Sequence, residues 1–548
     1  QGLLDLLAQD VARADATLAA TPSDYLPLRD YQHAAIRAAE AAIVRGQREI
    51  LLAMATGTGK TRTLLGLVYR LIKAGRFRRV LFLVDRTALG EQALEAFETV
   101  RLEGLQRFVD VYDVKALGDL RPDRDTRLHL ATVQGMVRRL LLPGEGDVPL
   151  PADAYDCVVV DEAHRGYVLD RELGDAEVAH RESGIRSEAD FLSKYRRVLD
   201  HFDAVKIALT ATPALHTTEI FGAPVYTYSY RQAVVDGWLV DHEPPVRIVT
   251  ALSQDGIRWR PGEQVPVYDT GRAQTELFTT PDELAFEVED FNRKVVTEAF
   301  NRVVCGELAA RIDPSLPGKT LVFAATDAHA DLVVRLLTEA FEARFGPVED
   351  DTVVKITAAA DDPRQLIRRF RNERRPAVVV TVDLLTTGVD VPEIVNVVFL
   401  RRVRSRILYE QMLGRATRLR PDLHGPGEDK EAFRIYDAVD LYAALEPHTA
   451  MRPVVPSGTV SVATLVADLA RAVAAGVDDA QRALHEQLVA ALRRRRNRLR
   501  DATASVDAAA GVEASAAGTV GIGGLIERLR RATPAEAAAF LTARPALV

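Results

Sequence analysis

Apolar positions along the chain fall into two series of short, near-continuous runs. The first comprises Ile50–Ala53, Val80–Val84, Leu128–Thr132, Cys157–Val160 and Val205–Thr210. The second begins near residue 319 and comprises Thr320–Ala324, Val353–Ile356, Ala377–Val382, Val395–Leu400 and Phe433–Tyr436. None of these runs alternates polar with apolar residues, so each predicts a strand of a parallel sheet covered on both faces. Stretches of helical spacing separate them, for example Thr61–Ala74, Ala328–Arg344 and Pro363–Arg374. The pattern predicts an α/β chain with two tandem parallel-sheet domains.

Punctuation between the runs sets the expected boundaries. Residues 1–27 read as an N-terminal helical linker, with Gly2–Ala20 amphipathic. The first α/β domain spans 28–230 and the second 291–450. Residues 231–290 hold both tryptophans, Trp238 and Trp259, and more Pro, Gly, Asp and Glu, which predicts a connector with a few strands. Pro453, Pro456 and Gly458 mark a break. Beyond it, 451–548 is Ala-rich, Leu-spaced and Arg-rich at Arg493–Arg496, which predicts a mainly α-helical C-terminal region. Within it, Ser505–Gly524 is a low-complexity link and Pro534–Thr542 a helix. The chain opens on Gln1 with no signal-peptide pattern and stops soon after that helix, so a piece of a larger protein with an incomplete C-terminal domain is expected.

Composition narrows the partners. At 548 residues, 47% hydrophobic and 27% charged, the chain has the make-up of a multidomain globular protein. No apolar run approaches the ~20 residues of a membrane helix, so no membrane partner is expected. The net charge of −8 means that a nucleic acid would have to meet local basic strips. Cys157 and Cys305 lie far apart in apolar surroundings and lack metal-ligand spacing, which predicts buried free thiols in a reducing cytosol.

The richest chemistry lies at Met54-Ala55-Thr56-Gly57-Thr58-Gly59-Lys60-Thr61, between an apolar strand and a helix. Glycines let the backbone turn its N–H groups towards phosphates, Lys60 adds charge for the β and γ phosphates, and the Thr61 hydroxyl can hold Mg²⁺. Met54 stands where the first glycine of such loops is usual. Asp161-Glu162-Ala163-His164 follows another strand, at the edge where open α/β sheets bind ligands. There Asp161 would hold Mg²⁺ through water, and Glu162 would orient the attacking water and take its proton. Alone, that tetrapeptide also fits a helix N-terminus whose acids favour the dipole; the phosphate loop roughly a hundred residues upstream favours the catalytic reading.

Further candidates are individually weaker. In Leu28-Arg29-Asp30-Tyr31-Gln32, Gln32 can read an adenine edge and Tyr31 can stack, although a helix-start turn explains them equally well. Thr210 and Thr212, in Leu209–Pro213, could contact His164 and couple nucleotide state to a grip on DNA; an ordinary strand end is the plainer account. In the second domain, Thr381–Asp390 follows a buried strand and supplies Gly388 and Asp390. In Gln411–Arg418, helical spacing would put Gln411, Arg415 and Arg418 on one face, suited to a γ-phosphate. Such an arginine is worth about 10³–10⁵ in rate, whereas an isolated helix of this kind would be a solvated basic face. Arg86, Thr132, Gln134 and Thr326 lie at strand ends and, with Thr381, are candidate DNA-phosphate contacts that carry no sequence information.

The order of these blocks between Gln32 and Arg418 resembles the superfamily 2 helicase and translocase core, which implies RecA-like domains. Longer stretches are similar to the restriction subunit of type I restriction–modification enzymes: DEAHRGYVLDREL (161–173), FLSKYRRVLDHFDAVKIALTATPALHTTEIFG (191–222), VVDGWLVDHEPP (234–245), DFNRKVVTEAFNRVVC (290–305) and VTVDLLTTGVDVP (380–392). The resemblance implies an ATP- and Mg²⁺-dependent motor on double-stranded DNA. It would work in the cytoplasm of a bacterium or archaeon with methylation and specificity subunits, in defence against foreign DNA. It also implies the nucleotide-binding and catalytic roles given above for Thr56–Thr61, Asp161, Glu162, Arg415 and Arg418. That family places a nuclease domain with a D…E-x-K site ahead of the motor; only 27 residues precede Leu28, so a motor without its cutter is expected. A strand-separating helicase and an ATP-gated scaffold are the competing readings.

Overall fold

The computed structural model describes residues 10–84, 87–103, 106–119, 121–141, 150–163, 188–213, 215–249, 257–259, 264–269, 274–279, 284–286, 298–357, 360, 362–382, 390–403, 406–456, 460–496 and 522–544. Two compact units divide the chain, Gln1–Ser229 and Tyr230–Val548.

The first unit is built on seven strands: β1 (Glu49–Met54), β2 (Val80–Val84), β3 (Asp113–Lys115), β4 (Thr126–Thr132), β5 (Cys157–Asp161), β6 (Val205–Thr210) and β7 (Tyr226–Tyr228). Their order is β3-β4-β2-β5-β6-β1-β7, and every neighbouring pair is parallel. The apolar runs become the central strands because both of their faces are covered. All five residues of β2, and all but the first of β1, are buried. Helix α1 (Val11–Ala20) is capped by Asp10, whose carboxylate accepts from Arg13 N. Helices α2 (Asp30–Val44) and α3 (Lys60–Lys73) pack together, α2 against β1 and α3 against β5 and β6. A buried pair binds them, Arg70 Nε donating to Glu40 Oε1 at 2.6 Å.

The second unit contains β8 (Asp241–His242), β9 (Val246–Arg247), β10 (Lys319–Phe323), β11 (Val353–Lys355), β12 (Val378–Thr381), β13 (Ile394–Phe399) and β14 (Ala432–Asp437). The order is β8-β14-β13-β10-β12-β11, with β9 also on β14, all parallel. Residues 231–247, which composition places in the connector, are therefore part of this unit: α4 (Tyr230–Val235) leads into β8 and β9. Among the described residues, the rest of that stretch holds two antiparallel pairs, Ile257–Trp259 with Leu284–Phe286 and Gln264–Asp269 with Gln274–Thr279. Helix α5 (Asp327–Phe345) follows β10, and α6 (Arg406–Leu413) follows β13.

The C-terminal region is helical: α7 (Val462–Ala475), α8 (Asp478–Arg494), α9 (Ile522–Arg531) and α10 (Pro534–Thr542). Leu465, Leu469, Leu488, Leu492, Leu529 and Leu541 supply its buried side chains. Most of the expected link Ser505–Gly524 lies outside the described residues. The arginine run at the end of α8 bonds within the unit, its first three side chains half-buried and Arg496 exposed. Arg493 bonds Val235 O and Glu527, Arg494 the buried Asp241, Arg495 Val460 O, and Arg496 Asp429. Both cysteines are free and buried, and burial raises both thiols. Among the described residues no helix is long and apolar enough to cross a membrane.

Candidate nucleotide site

Register alone gathers the first unit's chemistry at one sheet edge. Asp161 pairs with Leu209, and the next residue, Thr210, pairs with Ala53. The ends of β5, β6 and β1 thus lie side by side, each releasing its loop at the carboxyl edge of a parallel sheet.

The loop after β1 turns with Gly57 at φ 91° and Gly59 at φ 78°, conformations that cost an L side chain. Thr58 Oγ1 donates to Ala55 O at 2.6 Å and braces the turn from within. Helix α3 then starts at Lys60, so its free N–H groups and positive dipole end face the loop. Lys60 is only 7% exposed, and its ammonium lies 3.2 Å from Glu162 Oε1. Thr61 Oγ1 donates to Asp161 Oδ2 at 3.1 Å. Burial, then the Glu162 carboxylate, raises the Asp161 carboxyl to about 6, against the pull of Lys60 and Thr61. Glu162 sits at φ 52°, a left-handed conformation that costs a residue of this type about 1–2 kcal/mol. Its N–H donates to Asp161 Oδ1 at 2.9 Å. Hard oxygen donors beside a lysine and a helix N-terminus fit a triphosphate with Mg²⁺, which keeps several waters and takes one or two protein oxygens.

Behind the loop stand residues that the sequence reading placed only in part. Gln32 Nε2 donates to Thr58 O and Gly59 O at 3.2 and 3.1 Å, while its Oε1 accepts from Arg29 N at 3.0 Å. Its carboxamide therefore holds the loop. Tyr31 OH donates to Thr58 O at 2.7 Å, and its ring stacks on Tyr228 at 4.1 Å and 7°. Tyr228 O in turn accepts from Ala55 N at 2.9 Å. Tyr228 carries no motif, and only the pairing of β7 with β1 brings it here. Thr210 and Thr212 close a turn, Thr210 Oγ1 accepting from Thr212 N at 3.2 Å. His164, Arg86 and Gly388 lie outside the described residues.

In the second unit the expected helical face does not form. Helix α6 ends at Leu413, so Gln411 is helical whereas Arg415 and Arg418 lie in the turn and coil beyond. Gly414 weakens helix continuation, and the Thr417 hydroxyl takes Gly414 O at 3.0 Å. Arg415 N and Ala416 N then bond three residues back, to Met412 O and Leu413 O. Arg415 is buried. Arg418 Nε donates to Asp390 Oδ1 at 2.9 Å, and its Nη1 bonds Gly414 O.

The candidate DNA contacts are partly committed elsewhere. Thr132 Oγ1 accepts from Gly135 N, and Thr326 Oγ1 caps α5 by accepting from His329 N at 3.1 Å. Thr381 is fully buried, with no hydrogen-bond partner for its hydroxyl among the described residues. Gln134 is half-buried at the start of the helix Val133–Leu141. Buried His329 shapes the loop before α5: its Nδ1 accepts from Ala325 N at 3.1 Å and its Nε2 faces Asn301 Oδ1 at 2.9 Å.

Comparison with known proteins finds relatives of this chain. Residues 25–215 match the family described as type III restriction enzyme, res subunit, and 302–420 match the helicase conserved C-terminal domain. The type I restriction enzyme EcoKI endonuclease subunit of Escherichia coli K12 is 51% identical over 503 residues, 90% of this chain and 42% of that protein. The EcoAI endonuclease subunit of E. coli is 30% identical over 408 residues, 71% of this chain and 44% of that protein. The chain thus spans less than half the length of these relatives. A fragment structure described as an HsdR subunit of a type I restriction enzyme from Vibrio vulnificus shares the fold. Its TM-score is 0.50 at 24% identity, over 78% of this chain and 67% of that one. The chain is a homologue of the R (endonuclease) subunits of type I restriction enzymes and carries two helicase-family domains of superfamily 2.

Proposed function

We propose that this chain is the ATP-dependent motor of a type I restriction enzyme R subunit, moving double-stranded DNA at the expense of ATP. The observation that carries the reading is the meeting of loop and carboxylates, Lys60 on Glu162 and Thr61 on Asp161. In the proposed reaction the loop amides of Thr56–Gly59 and the Lys60 ammonium hold the β and γ phosphates. Thr61 and Asp161 would hold Mg²⁺, which neutralises phosphate charge when bound. Glu162 orients the attacking water and accepts its proton. Arg415 and Arg418 meet the charge that develops on the γ-phosphoryl group, with Asp390 and Gln411 beside them. Gln32 and Tyr31 hold the loop and border the adenine. His164, Thr210 and Thr212 couple turnover to DNA, which Arg86, Thr132, Gln134, Thr326 and Thr381 and their loops contact along its phosphates. The proposed partners are the methylation and specificity subunits, in the cytoplasm of a bacterium or archaeon.

The test pairs two assays on the chain assembled with those subunits. Displacement of a third strand from a triplex, without separation of a fluorescent duplex, is expected of a duplex translocase. Strand separation would favour a helicase acting on single strands. Neither activity, with ATP turnover indifferent to DNA, would refute both.

A further inference from the structure

Lys430 precedes β14 and is 3% exposed. Its ammonium donates to Ala416 O at 2.7 Å and to Pro392 O at 3.0 Å. Its own N–H donates to Arg420 O at 2.9 Å. Ala416 lies between Arg415 and Arg418, and Pro392 is two residues past Asp390, the carboxylate that Arg418 grips at 2.9 Å. One buried ammonium thus joins the backbones of the two segments whose side chains form that ion pair.

The interaction is an expensive way to hold a turn. Among the described residues the Lys430 ammonium pairs with no carboxylate, and burial pushes its pKa well below the usual lysine value. A desolvated charge met only by carbonyls is a poor source of stability, and an apolar residue of the same volume would pack at less cost. What the ammonium supplies is geometry. It is a compact head with several donors, able to bridge two carbonyls from separate segments at fixed spacing. Other bonds fix the same turn: Val240 N donates to Thr417 O at 2.8 Å, and Thr417 Oγ1 to Gly414 O.

We propose that Lys430 is a positioning residue for ATP hydrolysis: it locks the Gly414–Arg418 turn against the Asp390–Pro392 segment and so sets where Arg415 and Arg418 point. This rests on the catalytic reading of the two arginines above. It goes beyond that reading by assigning their aim to a residue that touches neither ATP nor DNA.

The test is a kinetic cycle on the full chain with duplex DNA. Lys430→Met removes both bonds at nearly constant volume. Turnover should fall about 10–100-fold, the scale of a sub-ångström to 1 Å misplacement of a catalytic group, while KM for ATP changes less than about threefold, since Lys430 lies outside the phosphate loop. Combined with whichever of Arg415→Ala and Arg418→Ala is slow, Lys430→Met should add no further loss, because it acts through those side chains. Lys430→Arg keeps charge and donors in a differently shaped head, guards against simple unfolding, and should show a smaller loss with the same non-additivity. Wild-type turnover in Lys430→Met, or losses that multiply in the double variants, would overturn the proposal. Wild-type turnover in both arginine variants would overturn the arginine reading itself, and this proposal with it.

Discussion

Gly59→Ala tests the phosphate loop at its tightest point. Gly59 has φ 78°, and a Cβ there would come within 2.8 Å of Gln32 Nε2. The left-handed backbone costs an alanine about 1–2 kcal/mol. Pushing Gln32 aside weakens its bonds to Thr58 O and Gly59 O, each worth about 0.5–1.5 kcal/mol net. A total centred near 3.5 kcal/mol follows if both bonds are lost, and at 1.4 kcal/mol per tenfold that is roughly 300-fold in affinity. The free loop escapes the strain by shifting, so the cost appears when a nucleotide requires the native turn again. Titration with a fluorescent ATP analogue in Mg²⁺ should show that loss with little change in thermal unfolding. Gly75→Ala is the control, since Gly75 also has positive φ (73°) but a Cβ there meets nothing within 4 Å; its ATP affinity should be unchanged. In a Gln32→Ala background only the backbone cost remains, about tenfold in affinity at 1–2 kcal/mol. Binding by Gly59→Ala within threefold of wild type, or an equal loss in Gly75→Ala, would refute this account of the loop.

Arg418→Ala should cut DNA-stimulated turnover by about 10³-fold or more while ATP affinity falls far less; parallel losses in pre-steady-state hydrolysis and in equilibrium binding would argue against a transition-state role. Asp241 is buried and accepts from Arg494 Nη2 at 2.6 Å and from Val454 N and Val455 N. Asp241→Ala leaves that guanidinium with only His242 O and no counter-charge, and both amides without their acceptor, so denaturant melts of the second unit should lose about 3–5 kcal/mol. The more exposed Arg231–Glu486 pair is the contrast: Glu486→Gln should cost less than about 1 kcal/mol, and equal losses would mean that Asp241 is not the tie holding α8.

The apolar strands of both sheets were legible because parallel strands buried on both faces must be apolar throughout, as Val80–Val84 or Val378–Thr381 show without context; the short strands Asp113–Lys115, Tyr226–Tyr228, Asp241–His242 and Val246–Arg247 carry no such run and were not read. The phosphate loop was legible because its glycines answer a backbone need visible in the letters. Spacing failed at Gln411–Arg418, since helical periodicity takes no account of Gly414 or of a threonine hydroxyl competing for its carbonyl. At Arg493–Arg496 composition pointed to a helix, which forms as far as Arg494, but not to the partners, Asp241 among them, that arrive from far away in sequence. Lys430, Tyr228 and Asp241 carry no local pattern at all. The one hint for Lys430 was a lysine in a chain whose basic residues are overwhelmingly arginine.

The central claim is that the carboxylates facing Lys60 and Thr61 drive DNA-stimulated ATP hydrolysis. Its most direct test is steady-state ATPase on linear duplex DNA, comparing the wild-type chain with Glu162→Gln and Lys60→Ala. The account predicts stimulation by duplex in the wild type, and loss of turnover in both variants with unfolding transitions preserved. Retained turnover in either variant would contradict it.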